Sequence, residues 1–192
     1  MRLQANREIA AWRISVWVPY NERCSPTTIP SVLVLRIALG SDERSHLTEF
    51  VEEELRRRGH DVLLFGASDG DEAPWPDVAE AVARRVAERE ADEGVLFCWT
   101  GTGVSIAANK VPGVRAALCG DAETARGARA WNQANVLCLS LRGTSEIVAR
   151  EILDSWFSAE PDAGEQGNVE KVNELDRRYR PAVGGEAVST AG

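Results

Sequence analysis

The chain has 192 residues, 44% hydrophobic and 27% charged, with a formal net charge of -8. That length suits one domain with a real core, and the balance is that of an ordinary globular chain rather than a disordered or membrane one. The negative sum argues against nucleic-acid binding, which works by neutralising phosphates, but leaves a small ligand open. No apolar run approaches the roughly 20 residues of a bilayer span, and Arg7, Glu8, Arg13 and Pro19 interrupt any secretory h-region. A cytoplasmic protein without membrane contact is expected.

In chain order, residues 1–31 carry Trp12, Trp17, Pro19, Pro26 and Pro30 without helical or alternating order and read as an extension outside the core. The domain is expected over 32–180. Val32 to Leu39 is an apolar run broken by Arg36, the mark of a doubly buried parallel strand, and it ends at Gly40. Ser45 can cap a helix with Leu47, Phe50, Val51 and Leu55 at helical spacing, and Gly59 stops it. His60 to Phe65 reads as the second strand. A loop from Gly66 to Pro74 leads to a helix from about Pro76 to Glu90, with the charged run Glu52 to Arg58 taken as the exposed face of the helix before.

Gly94 to Cys98 reads as the third strand, followed by a short helix from Ser105 that Pro112 and Gly113 end. Val114 to Leu118, a helix from Ala122 to Trp131, and Val136 to Leu139 continue the alternation. Thr144 is the expected cap of an amphipathic helix carrying Ile147, Val148, Ile152, Leu153 and Trp156, and a last helix spans Val169 to Tyr179. Residues 181–192 are mostly small and read as a disordered tail. Such alternation predicts a Rossmann-like three-layer α/β/α fold with a five-stranded parallel sheet and a C-terminal helix. Ligands in such folds bind beyond the carboxyl ends of the strands.

Cysteines at 24, 98, 119 and 138 form no C-x-x-C pair, and with His46 and His60 as the histidines there is no metal-ligand pattern. Cys119 and Cys138 read as small apolar core residues. The informative stretch is Cys98-Trp99-Thr100-Gly101-Thr102-Gly103-Val104-Ser105. Glycines there let the backbone approach a ligand, and amides opening a helix suit an anion or a developing oxyanion, while a thiol beside a helix start gains thiolate character. A dinucleotide fingerprint competes, with Asp121 about twenty residues on, but Ile106 replaces its third glycine and the crossover is short. No cofactor is expected.

The string continues through Ser105-Ile106-Ala107-Ala108-Asn109-Lys110-Val111-Pro112-Gly113-Val114-Arg115-Ala116. It resembles the hallmark of the ribose-5-phosphate isomerase B and galactose-6-phosphate isomerase family. Ala38-Leu39-Gly40-Ser41-Asp42, Pro74-Trp75-Pro76-Asp77 and Asn132-Gln133-Ala134-Asn135-Val136-Leu137 resemble further family segments, in order, so that the likeness covers about Leu35 to Tyr179.

The resemblance implies an aldose–ketose isomerase working through an enediol, as a homodimer or tetramer whose active sites draw on two subunits. On this chain it implies Cys98 as the base, Thr100 at the hydroxyls, Asp42 against substrate hydroxyls, and Gly101, Thr102, Gly103 and Ser105 around the enediolate. Glu43, Trp131, Asn132 and Arg142 are the further expected substrate contacts. Glu43 and Trp131 stand where the family has histidines, and Trp99 where it has glycine. An indole donates a hydrogen bond but cannot shuttle a proton, so ring opening is not expected from Trp131. An isomerase of altered substrate range follows. The alternative is a non-catalytic sugar-binding paralogue with Trp75, Trp99 and Trp131 as an aromatic floor.

Overall fold

A computed structural model describes residues 33–179; the expected extension, Cys24 and the expected tail lie outside these residues. Five strands form one parallel sheet: β1 (Arg36–Ser41), β2 (Asp61–Gly66), β3 (Glu93–Cys98), β4 (Ala116–Leu118) and β5 (Val136–Ser140), in the order β2-β1-β3-β5-β4. Six α-helices alternate with and follow them: α1 (His46–Arg57), α2 (Trp75–Ala87), α3 (Thr102–Ala108), α4 (Ala122–Asn132), α5 (Glu146–Ser158) and α6 (Gln166–Tyr179). The α/β expectation holds. Every residue of β3 is buried, which is why its sequence runs apolar instead of alternating.

The alternating strand faces feed two cores. On one face Leu47, Val51 and Leu55 of α1, Ala125 of α4 and Ile152, Leu153 and Trp156 of α5 pack on Ile37, Val95, Phe97, Leu137 and Leu139. On the other, Val78, Val82 and Val86 of α2 and Val104 and Ala108 of α3 pack on Ala38, Leu96, Cys98 and Cys138. Burial of side chains of this size contributes about 1.5–3 kcal/mol each. α6 presents Val169 to the protein and leaves Val172, Leu175 and Tyr179 exposed.

Several boundaries move for local reasons. Leu33 and Val34 are exposed, so the first apolar run contributes to the sheet only from Arg36. α1 does start at a capping box: Ser45 Oγ accepts from the amide of Thr48 at 3.3 Å, and Thr48 Oγ1 accepts from the amide of Ser45 at 2.9 Å. The cap of α5 is Ser145, which accepts from the Val148 amide; Thr144 is instead buried and donates its amide to the Ser140 carbonyl. α3 begins at Thr102, earlier than Ser105, because Gly101 adopts the left-handed conformation that caps it.

The brief β3-to-β4 crossover is closed by a side chain. Asn109 both donates to the Ala116 carbonyl and accepts from the Ala116 amide, at 2.8 and 2.9 Å. It thus acts as a surrogate strand along the free edge of β4. The run Glu52 to Arg58 is not wholly a solvated face either: Glu54 is buried and receives hydrogen bonds from Arg57 and Arg58.

Candidate active site

The strand order reverses at β1. The chain leaves β1 for β2 on one side and then crosses to β3 on the other, so the loops after β1 and β3 diverge and leave a crevice between them. In the β1–β3 register Ser41 is level with Phe97. The next residues, Asp42 and Cys98, therefore stand side by side at the carboxyl tips of neighbouring strands, about 4.8 Å apart as strands go.

Cys98 ends the most buried strand, is 6% exposed and lies on the sheet face covered by α2 and α3. Its carbonyl accepts from the amides of Gly101 and Leu141, at 3.2 and 3.0 Å. The next carbonyl, of Trp99, accepts from the Ser140 hydroxyl at 3.0 Å and from the Arg142 amide at 3.1 Å. The loop is thus clamped to the tip of β5 from both sides. Gly101 has φ 75°, and a Cβ there would meet Leu118 Cδ1 at 2.5 Å and the Leu139 carbonyl carbon at 3.0 Å. No other residue fits this turn.

The remaining expected residues divide. Thr100 and Thr102 hydroxyls lie 2.6 Å apart and are exposed at the loop. The amides of Thr102, Gly103 and Val104 make no backbone hydrogen bond among the described residues, whereas the Ser105 amide is committed to the Gly101 carbonyl. The Ser105 hydroxyl is turned toward β4 and donates to the Ala116 carbonyl at 3.4 Å. Gly103 is covered by an indole, since a Cβ there would meet the ring of Trp75 at 3.1 Å. Trp75 opens α2 and is 40% exposed.

Asp42 Oδ1 is buried without a hydrogen-bond partner. The residue as a whole is half-buried and lines a cleft of about 540 Å³ between the loops after β1 and β2, together with Glu43, Arg44, Glu72, Ala73 and Pro74. Arg44 is tied to Glu49 at 2.8 Å, and that hydrogen bond raises the guanidinium and lowers the carboxyl from their ordinary values. Arg142 follows β5, is exposed, and has no ion pair among the described residues.

Trp131 and Asn132 lie elsewhere. They end α4, which leads into the start of β5, level with Gly94 at the start of β3. A five-residue strand separates that end from the Cys98 loop by roughly 15 Å. A single chain therefore does not gather them with Cys98, because a parallel crossover helix returns the chain to the amino ends of the strands, opposite the Cys98 loop. Trp131 packs back on Gly127, lies under Arg126 and lines a groove of about 290 Å³ with Arg115, Asn168 and Val172. The three-tryptophan floor is not formed within one chain.

The competing readings also resolve locally. Asp121, the acid of the dinucleotide fingerprint, caps α4: it accepts from the Thr124 amide at 2.7 Å, which holds its carboxyl below the usual range. Cys119 and Cys138 are buried, and burial pushes the Cys119 thiol up to about 12 and that of Cys138 higher still. Among the described residues no cluster of His, Cys, Asp or Glu is placed to hold a metal ion. The sequence did not reveal Ser140 as the clamp of the Cys98 loop or Glu72 as a cleft residue. Only the β3–β5 register and the packing of the two loops bring them there.

The parallel α/β fold and the loop after β3 are shared with a family of isomerases. The family model described as Ribose/Galactose Isomerase matches residues 37–175, and the chain belongs to that family. Ribose-5-P isomerase B of Listeria innocua is 31% identical over 148 residues, spanning 76% of this chain and 100% of the relative. D-erythrulose-4-phosphate isomerase of Pectobacterium atrosepticum is 35% identical over 144 residues, 74% of this chain and 93% of the relative. Among solved structures, ribose-5-phosphate isomerase B of Clostridium thermocellum superposes with a TM-score of 0.72 at 36% identity, covering 76% of this chain and 100% of that one.

Proposed function

We propose that the chain interconverts an aldose and a ketose, as a sugar phosphate or a related sugar, through an enediol with Cys98 as base. The observation that carries this reading is the pairing of Cys98 with Asp42 at adjacent strand tips, the latter with a buried carboxylate oxygen that lacks a donor. A substrate hydroxyl hydrogen-bonds the Asp42 carboxylate where it borders the cleft and sets C1 and C2 over the thiol. The Cys98 thiolate takes the proton from C2 of the aldose; the C–H electron pair becomes the C1–C2 double bond and the carbonyl electrons move to O1. The enediolate charge is met by the free amides after Gly101 and the Thr100 hydroxyl. Return of the proton to C1, with the O2 proton passing to O1, yields the ketose and regenerates the thiolate.

The active unit on this reading is a homodimer or larger assembly in the cytoplasm, needing no cofactor. Trp131 and Asn132 enter the site of a second copy, which suits their distance from their own Cys98 and the exposed apolar side chains of Val172, Leu175 and Tyr179 on α6. Solvent-hydrogen exchange at C2 of aldoses and at C1 of ketoses, with and without phosphate, tests the reaction. The parent is expected to exchange at least one, and Cys98→Ala none; a parent inert to the whole panel refutes it. Mixing Cys98→Ala with Asn132→Ala tests sharing. Regained exchange in the mixture is expected, and two variants that stay inactive together count against a shared site.

A further inference from the structure

Resting on the shared-site reading, we infer that Arg115 is a positioning residue for the active site of a second copy, fixing the end of α4 from which Trp131 and Asn132 reach the neighbouring Cys98. Both residues close α4 and are exposed, and the chain turns sharply behind them, with Gln133 in the left-handed region at φ 48°. The last carbonyls of a helix have no partner within it. Arg115 supplies one: its Nε donates to the Asn132 carbonyl at 3.1 Å and to the Gln133 carbonyl at 2.9 Å. A single donor thus bridges the residue that enters the second copy and the residue at which the chain turns.

Arg115 can hold that end because it is itself held. It directly precedes β4; its amide donates to Asn135 Oδ1 at 2.8 Å, and its carbonyl accepts from the amides of Asn135 and Val136 at 3.0 and 3.3 Å. Its side chain is half-buried, lines the groove at Trp131, and reaches Asn173 Oδ1 on α6 through Nη1 at 3.4 Å. One guanidinium therefore joins the sheet, α4 and α6, a task that suits a planar fork of fixed donors and not a single ammonium. Arg115 lies at the amino ends of the strands, since Ala116 is level with Val136 and Val136 with Gly94, whereas Cys98 ends β3 at the other side. Its loss acts on the site of the second copy and leaves the thiol of its own chain in place.

Mixtures of full-chain variants read this, scored by solvent-hydrogen exchange into a sugar that the parent turns over. Arg115→Met alone is expected to lower exchange roughly tenfold. Refolded together with Cys98→Ala, it regains about a quarter of the parent's rate, because half of the pairs are mixed and one of their two sites joins an intact Cys98 to an intact α4 end. Refolded with Asn132→Ala, it regains nothing, since both variants damage the same half of the site. Arg115→Lys, which keeps the charge and loses the fork, falls between the parent and Arg115→Met, and it carries the same mixtures where Arg115→Met does not fold. An Arg115→Met of undiminished rate overturns the inference, as does one that complements Asn132→Ala. So does one that fails to complement Cys98→Ala where Asn132→Ala succeeds, and the shared site then still stands. If Asn132→Ala and Cys98→Ala also stay inactive together, the shared site falls and the inference with it.

Discussion

The Ser140 hydroxyl donates to the Trp99 carbonyl at 3.0 Å and ties the end of β5 to the residue that follows Cys98. Ser140 also accepts from the Gly143 amide at 3.1 Å, so one side chain holds two loops of the site. Ser140→Ala is expected to cost about 1 kcal/mol of stability and to lower the rate of C2 exchange by roughly tenfold through misplacement of the loop. Urea unfolding and single-turnover exchange measure the two effects.

Gly101→Ala combines a left-handed φ with contact against the Leu139 backbone. The expected outcome is a loss of about 1–3 kcal/mol and of detectable exchange, because Cys98 and the free amides share that turn. Retained activity in a thermal-melt-matched sample would show that the loop tolerates a second conformation.

Cys119→Ala and Cys138→Ala are expected to leave exchange within about twofold of the parent, since burial holds both thiols protonated at neutral pH. Iodoacetamide at pH 8 should likewise spare both in the folded chain, read by peptide mass. Labelling of either before unfolding contradicts this.

Glu93 opens β3 beneath the sheet and accepts from Trp156 Nε1 and from Arg129 at 2.7 Å, while Arg129 also stacks on the Trp156 ring. Burial pushes the Glu93 carboxyl up, against the pull of the guanidinium. Arg129→Ala leaves that carboxylate buried without its cation and is expected to cost about 3–5 kcal/mol, read as a shifted urea midpoint at unchanged slope. Glu93→Leu combined with Arg129→Met recovers most of the loss.

Acid sensitivity should trace to Glu54. Hydrogen bonds from Arg57 and Arg58 hold its carboxyl below the ordinary 4.5, so its contribution is present above that pH and is lost as pH falls through the depressed folded value. Glu54→Gln is expected to flatten the fall in stability below about pH 4.5 and to lower stability at pH 7 by roughly 1 kcal/mol, the exposure of Arg57 limiting the gain.

Local order in the chain was enough to mark the strands as apolar runs, the α1 cap at Ser45, the turn at Gly101 and the Cys98 segment, because each depends on neighbours within a few residues. The family followed from the uninterrupted string around Cys98. The placement of Trp131 and Asn132 away from Cys98, the inward turn of Ser105, the binding of Arg129 by Glu93 and the clamp from Ser140 were decided by the tertiary structure. They depend on strand order and register, which pair residues tens of positions apart. A parallel sheet sets that order through crossovers whose direction no local pattern records.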